Sequence, residues 1–176
     1  AALAIEGKLD VAALQQTLSE IVQRHESLRT TFALQEATPY QVIQPPSSFM
    51  LPVIDLQMLA SEPQNNEVKR RMAAESQQPF DLTQDLMLRG QLLQLAEERF
   101  VLLLTMHHIA SDGWSIGVLV RELTALYAAF RQGQPSPLPP LAIQYADFAV
   151  WQRDYLQGDI LQRQLTYWRT QLADAP

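Results

Sequence analysis

The strongest constraint on the fold comes from an apolar run, RFVLLLTM, at residues 99–106. Side chains alternate between the two faces of a strand, so an unbroken apolar run indicates a strand that is buried on both faces. The run LMLRGQLLQL at residues 86–95 is also strand-like, and Glu97 and Glu98 lie at a turn between the two runs. The sequence therefore predicts a β-hairpin whose second strand is fully buried.

Apolar residues at helical spacing predict two strong helices, one before this hairpin and one after it. The first follows an N-cap at Asp10 and extends to about Arg29, and the second follows an N-cap at Ser115 and ends near Phe130. The apolar stripe of the first helix consists of Leu14, Leu18, Ile21, Val22 and Leu28. Weaker patterns predict helices at about 64–78, 143–156 and 160–172, and short strands before Gly7, at 39–44 and at 49–54. The mixture of strands and helices predicts the α/β class.

A proline-rich stretch, PSPLPP, separates the second strong helix from the last two helical patterns. Proline fixes the backbone and cannot donate a hydrogen bond, so we predict a stiff, extended connector at residues 134–141. The full length of 176 residues suits one domain with a sizeable core.

Composition excludes several classes of function. No apolar run reaches the length of a membrane span, and no basic and apolar signal region opens the chain, so we expect a cytoplasmic protein that does not enter a membrane. The net charge of −6 argues against nucleic acid as a partner. The absence of cysteine excludes disulfides, thiolate nucleophiles and zinc fingers, and with three histidines we expect no metal site.

Histidine is the residue type that points to chemistry. His25 lies beside the apolar stripe of its helix, so we interpret it as a structural core residue. His107 and His108 are adjacent at the end of the buried strand, where alternation predicts that their rings lie on opposite faces. An imidazole near its normal pKa accepts a proton at neutral pH or holds an amine in place. Asp112 either orients a histidine, caps the next helix or pairs with an arginine.

A serine nucleophile is not favoured by the sequence. Ser111 and Ser115 lie near the histidines, but neither is in a GxSxG elbow, where a serine is exposed on a sharp turn. The aromatic residues Tyr145, Phe148 and Trp151, together with Tyr155, are interpreted as packing residues and not as a cofactor site.

Four stretches resemble the motifs of one family. MHHIASDGWS at residues 106–115 resembles the HHxxxDG signature of condensation domains from nonribosomal peptide synthetases. RHESLRTTF at 24–32 is similar to the family's RHExLRTxF motif, and YADFAVW at 145–151 is similar to its YxDFAVW motif. PFDLTQDLMLRGQLL at 79–93 resembles the segment before the central strand. These ordered motifs cover nearly the whole chain.

The resemblance implies a fold like that of chloramphenicol acetyltransferase. Its two similar lobes are of mixed α+β type, and each has a mixed sheet flanked by helices. Residues 1–176 would be the N-terminal lobe. The family's first motif is expected before Ala1 and the second lobe after Pro176, so both are missing from this chain, and the lobe alone is expected to be inactive.

The resemblance also implies roles for individual residues. His108, the second histidine of the signature, would be the catalytic residue, as a general base or as an anchor for an amine. The residues that support the active site would be His107, Asp112, Gly113, Trp114 and Ser115. Asp112 would form a structural salt bridge with Arg29. No residue is expected to bind a cofactor or a metal.

The implied activity is acyl (peptidyl) transfer that forms an amide bond between aminoacyl and peptidyl thioesters, as in antibiotic and other secondary-metabolite biosynthesis. The substrates would be carried on the 4′-phosphopantetheine arms of donor and acceptor peptidyl carrier proteins, beside an adenylation domain of a larger synthetase. Trp114 and Ser115, which follow the glycine of the signature, resemble the residues found there in domains that join two L-configured residues. Alternatives are an epimerisation domain, another HHxxxDG acyltransferase, or a non-catalytic module that recruits carrier proteins or partner enzymes. The amino acids joined, the module and the product are not specified by the sequence.

Overall fold

A computed structural model of the chain describes residues 1–173, so the last three residues of the predicted lobe lie outside the described part. Its strands are β1 (Ala2–Glu6), β2 (Thr30–Gln35), β3 (Thr38–Ile43), β4 (Val53–Asp55), β5 (Leu88–Ala96) and β6 (Arg99–Met106). Its α-helices are α1 (Val11–Arg24), α2 (Ser61–Gln77), α3 (Gly113–Phe130), α4 (Tyr145–Tyr155) and α5 (Gly158–Gln171). A short 3₁₀ helix, Glu26–Arg29, follows α1.

The main sheet has the strand order β1-β6-β5-β4. β6 lies between β1 and β5 and is antiparallel to both, whereas β4 pairs with β5 in parallel, so the sheet is mixed. The predicted hairpin is therefore confirmed as β5 and β6. Leu102, Leu103 and Leu104 of β6 are all buried, as the apolar run predicted. The run that was expected to form a strand at 49–54 contributes only the short β4.

The core lies between α1, α3 and the main sheet. The predicted stripe of α1 is buried in full, and it packs in one cluster with Leu92, Leu102 and Leu126. Asp10 caps α1 by accepting the amide N–H of Ala13 at 2.9 Å, as predicted. The helix ends at Arg24, earlier than expected, because the chain tightens into the 3₁₀ helix before β2.

A second, two-stranded sheet is formed by β2 and β3. The two strands pair in register from Thr30 opposite Ile43 to Gln35 opposite Thr38. Glu36 and Ala37 at the turn both have positive φ angles, the conformation that a two-residue hairpin turn requires and that side chains with a Cβ adopt reluctantly. The hairpin is tied to the rest of the chain at its base, where the amide N–H of Phe32 donates to the carbonyl of Leu82.

The chain divides into two compact units, Ala1–Pro140 and Leu141–Pro176. The described part of the second unit consists of α4 and α5, which contain no buried residue. Along α4, the aromatic rings of Tyr145, Phe148 and Trp151, together with Tyr155, lie in a row with centroids 5.2–6.0 Å apart, and each is more than a third exposed. The packing role expected of these rings is therefore found only in part, because they contact one another but lie on an exposed helix face. None of the helices described between residues 1 and 173 is long and apolar enough to span a bilayer.

Candidate functional site

The segment after β6 is a tight turn and not an extension of the strand. The amide N–H of His107 donates to the carbonyl of Met87 at 3.0 Å, so the pairing of β5 with β6 continues one residue past Met106. The chain then folds back, because the N–H of Ala110 and the hydroxyl of Ser111 both donate to the carbonyl of His107. The prediction that both histidine rings lie on opposite faces of one strand is wrong, since the second histidine lies within this turn.

His107 is half-buried and has a defined ring orientation. Its Nδ1 accepts the amide N–H of Ile109 at 3.0 Å, and its ring packs edge-on against Phe80 with centroids 5.4 Å apart. A ring nitrogen that accepts a hydrogen bond carries no proton, so the neutral ring of His107 is protonated on Nε2.

His108 is exposed and adopts the opposite tautomer. Its Nδ1 lies 3.2 Å from the carbonyl oxygen of Ser111. A carbonyl oxygen only accepts, so Nδ1 must donate, and the neutral ring keeps its lone pair on Nε2. Nε2 has no hydrogen-bond partner among residues 1–173. An accessible imidazole with a free Nε2 lone pair can accept a proton or hold a substrate N–H.

The turn leads directly into α3 through a capping box. Oδ1 of Asp112 accepts the amide N–H of Ser115 at 2.9 Å and its hydroxyl at 2.7 Å, and the N–H of Asp112 donates back to the Ser115 hydroxyl at 3.1 Å. The predicted N-cap at Ser115 is therefore wrong, because Asp112 is the cap and α3 begins at Gly113. The hydrogen bonds from the side chain and backbone of Ser115 lower the pKa of Asp112 below its usual 3.8.

The expected salt bridge between Arg29 and Asp112 is not formed in the described chain. Arg29 is 8% exposed, and its guanidinium donates to the carbonyl of Gln44 and pairs with Glu26 at 3.4 Å. Asp112 uses its carboxylate to cap α3. Each charged group is thus satisfied by neighbours of its own, and Arg29 ties the 3₁₀ helix to the end of the β2–β3 hairpin.

Gly113 and Trp114 form the first turn of α3 and are both exposed. A Cβ at Gly113 would meet nothing within 4 Å, so packing does not require glycine there. Trp114 is 85% exposed, which leaves a large apolar side chain beside the histidine turn. The structure thus brings together all of the predicted residues between 107 and 115 and leaves Arg29 in other contacts.

His25 has a structural role like the one that the sequence predicted. Its Nε2 lies 2.7 Å from Oε2 of Glu122, a buried residue of α3, and Oε1 of Glu122 accepts Nε of Arg24 at 3.2 Å. Arg24 also donates to the carbonyl of Pro139 in the proline-rich connector at 2.6 Å. This cluster joins the end of α1 to α3 and to the connector, away from the histidine turn in sequence.

No group of three or more His, Cys, Asp or Glu side chains within residues 1–173 is placed to hold a metal ion. Sequence reasoning missed the contact of Phe80 with His107, because the two residues are far apart in the chain and belong to no common periodic pattern. The sequence signal for this contact was that Phe80 lies in PFDLTQDLMLRGQLL, the stretch that resembles the family's segment before the central strand. That resemblance does not indicate which residue Phe80 contacts.

Comparison with known proteins gives consistent results. A family model described as "Condensation domain" matches residues 1–176. A linear gramicidin synthase of Brevibacillus parabrevis is 53% identical over 170 residues, which cover 97% of this chain and 3% of that protein. Chondramide synthase cmdD of Chondromyces crocatus is 50% identical over 171 residues, which cover 97% of this chain and 4% of that protein. The chain thus spans only a small part of these relatives.

Solved structures share the fold. The X-domain from teicoplanin biosynthesis matches with a TM-score of 0.87 and 37% identity over 99% of this chain and 38% of that one. The starter condensation domain of rhizomide synthetase RzmA matches with a TM-score of 0.84 over 97% of this chain and 41% of that one, at 22% identity. The predicted fold class, a mixed sheet flanked by helices of the chloramphenicol acetyltransferase type, is confirmed.

Proposed function

The chain belongs to the condensation-domain family, and we propose that residues 1–176 are the N-terminal lobe of a domain that forms amide bonds in nonribosomal peptide synthesis. The assignment as a lobe is supported by the share of related structures that the chain covers, 38% of the X-domain and 41% of the starter condensation domain. In this proposal a first motif precedes Ala1 and a second lobe follows Pro176. Residues 134–141 connect α3 to the last two helices within the lobe.

The proposed reaction joins two substrates that are held as thioesters on the phosphopantetheine arms of donor and acceptor carrier proteins. The acceptor's amine attacks the thioester carbonyl of the donor, a C–N bond forms, the C–S bond breaks, and the arm leaves as a thiol after taking up the proton that the amine loses. No acyl-enzyme is needed. We assign no cofactor to this chain, because the arms belong to the carrier proteins.

The observation that carries this proposal is the hydrogen bond between Nδ1 of His108 and the carbonyl of Ser111. Because Nδ1 carries the proton of this bond, the Nε2 lone pair of His108 is free to receive an N–H of the amine. The nitrogen is then held for attack, and its proton has an acceptor as the C–N bond forms. Holding reactants in place can contribute up to about 7–11 kcal/mol in ideal cases. Because a free amine is already a good nucleophile toward a thioester, we assign positioning the larger share.

The residues around His108 have supporting roles in this proposal. His107 begins the turn, Asp112 and Ser115 close it against α3, and Gly113 leaves open space beside the first N–H groups of the helix. Such N–H groups can stabilise the oxyanion that develops on the thioester carbonyl. Trp114 and Ser115 support the further proposal that the domain joins L-residues, because they resemble that subtype.

A second candidate is a non-catalytic module that recruits a partner enzyme. It is favoured by one relative, the X-domain from teicoplanin biosynthesis, which has been solved in a complex with OxyB and is 36% identical to this chain. The exposed His108 with its free Nε2 favours catalysis. We propose a cytoplasmic synthetase with neighbouring adenylation and carrier domains as the context.

The test is amide formation by the complete domain with loaded donor and acceptor carrier proteins, followed by mass spectrometry. We expect His108→Ala to reduce turnover by about 10²-fold or more and to leave the urea unfolding midpoint unchanged. His25→Gln is the matched control, since it should lower stability through its contact with Glu122 and preserve most turnover. Unchanged turnover in His108→Ala would contradict the catalytic assignment. A parent domain that binds carrier proteins and makes no amide would favour the recruiting module.

A further inference from the structure

The C-terminal end of α2 is held by an arginine from β5. Nη1 of Arg89 donates to the carbonyl of Pro79 at 2.9 Å, and Nη2 donates to the carbonyl of Gln78 at 2.8 Å and to that of Glu75 at 3.4 Å. Its Nε pairs with Oε1 of Glu75 at 3.0 Å. The last carbonyls of a helix have no partner within the helix, so this guanidinium satisfies groups that would otherwise need water.

The same arginine lies over an aromatic ring. Cζ of Arg89 is 3.8 Å from the centroid of Phe80, the residue that follows the carbonyls it binds. A cation over an aromatic face is attracted by the ring's quadrupole, and the planar guanidinium stacks there as an ammonium group cannot. Glu75 is buried, and its carboxylate also accepts a hydrogen bond from Nε2 of Gln91 at 3.1 Å. The carboxylate that orients Arg89 is therefore itself held in place.

Phe80 in turn contacts the histidine that begins the turn. The rings of Phe80 and His107 are 5.4 Å apart and meet at 75°. Nδ1 of His107 accepts the N–H of Ile109, so a rotation of this ring would break a bond that shapes the turn. The carbonyl of His107 accepts a hydrogen bond from the hydroxyl of Ser111. The carbonyl of Ser111 in turn accepts the Nδ1–H of His108.

We propose that Arg89 and Phe80 are positioning residues, which hold the ring of His107 and through it the turn that presents His108. The expected effect of these residues on turnover rests on the proposed function. Their expected effect on the rings of His107 and His108 does not. Both residues act on His108 only through His107, so they are positioning residues and not catalytic residues. The row of contacts begins at Glu75, passes through Arg89 and Phe80, and ends at His107.

Two conservative variants separate this role from general stability. Arg89→Lys keeps the charge but cannot satisfy the carbonyls, the carboxylate and the ring together, and Phe80→Leu keeps an apolar side chain but removes the ring. The matched controls are Arg70→Lys, whose ion pair with Glu67 is on the surface, and Phe100→Leu, which removes a ring from the buried core. All four are made in the complete domain.

The first measurement is the ring-nitrogen NMR spectrum of the domain labelled with ¹⁵N-histidine, with signals assigned by His107→Gln and His108→Gln. In the parent we expect an unprotonated Nδ1 in His107 and an unprotonated Nε2 in His108. In Arg89→Lys and Phe80→Leu we expect these signals to move toward an average of both tautomers. The two control variants should leave them in place, although Phe100→Leu lowers stability.

The second measurement is turnover. Because misplacement of a reacting group can cost up to about 10²-fold, we expect kcat to fall by about 10-fold in Arg89→Lys and Phe80→Leu, with KM changed less than about twofold. Ring signals that stay unchanged in both variants would overturn the positioning role, whatever the turnover. Changed ring signals in a domain whose parent makes no amide would uphold the positioning of the turn and contradict the proposed function instead.

Discussion

The two units of the chain are built in opposite ways. In residues 1–140 a mixed sheet, α1 and α3 enclose a continuous core, and buried polar groups such as Arg29 and Glu122 have hydrogen-bond partners. In residues 141–173 two regular helices carry no buried residue, and their aromatic side chains lie on exposed faces. The fold of the first unit is thus stabilised by apolar side chains buried in its core. In the second, the aromatic rings of α4 contact one another between neighbouring turns of an exposed helix.

The comparison shows that similar sequence patterns need not have the same physical cause. α1 and α4 both repeat apolar residues every three or four positions. In α1 that stripe is covered by the sheet, whereas in α4 the rings cover one another along the helix. All of the residues proposed to act in the reaction lie in the unit with the core, where a packed interior can hold a turn in one conformation.

The largest difference is expected for the same substitution in each unit. Leu18→Ala in α1 removes a fully buried side chain, and we expect it to lower the free energy of unfolding by about 2–5 kcal/mol. Leu172→Ala, at a residue that is 58% exposed, is expected to change it by less than about 0.5 kcal/mol. Urea unfolding of the complete domain, followed by circular dichroism, measures both. Equal losses would contradict the contrast between the units.

A smaller difference is expected for arginines. Arg29→Ala leaves the carbonyl of Gln44 without its guanidinium donor, so we expect a loss of about 1–3 kcal/mol in the free energy of unfolding. Arg169→Ala, at an exposed residue of α5, should be nearly neutral. A double-mutant cycle of Arg29→Ala with Asp112→Ala sharpens the result, because the two side chains have separate partners and their effects should add. A coupling of about 1 kcal/mol or more would mean that they pair in the complete domain.

The smallest effect concerns the cap of α3. Hydrogen bonds from Ser115 hold the pKa of Asp112 below its usual 3.8, so the folded state favours the charged carboxylate. Its stabilising effect is complete above the unfolded value and is lost as the pH falls through the lowered folded value. We expect the unfolding midpoint of the parent to drop relative to that of Asp112→Asn as the pH falls below the unfolded value of 3.8. A constant difference between the two midpoints would show that the carboxylate does not titrate with folding.

The sequence predicted those elements whose pattern is local. The β5–β6 hairpin and the buried stripe of α1 follow from strand alternation and helical periodicity, which depend on neighbours a few residues away. The N-cap of α3 was misplaced by three residues because Asp112 and Ser115 are both good capping residues and bond to each other reciprocally. Residue preference alone does not decide which of the two begins the helix.

The contacts that were predicted wrongly or not predicted at all are those between residues far apart in the sequence. The pairing of Arg29 with Asp112 was inferred from resemblance, but each charge has a nearer partner in Glu26 or Ser115. The contacts of Phe80 with Arg89 and His107 depend on how α2 ends beside β5, which periodicity does not encode. The residues of the histidine turn were found because they are contiguous. Their tautomers required the positions of individual carbonyl and amide groups.

The turn after β6 has a consequence for how this part of the molecule can change in evolution. Its hydrogen bonds join residues only two to four positions apart, and the capping box spans three. Residues 107–115 therefore carry most of their own geometry. Beyond a strand before them and a helix after them, they use the contact of Phe80 with His107. Insertions and deletions in exposed turns elsewhere, such as the turn between β2 and β3, can accumulate over generations without moving His108.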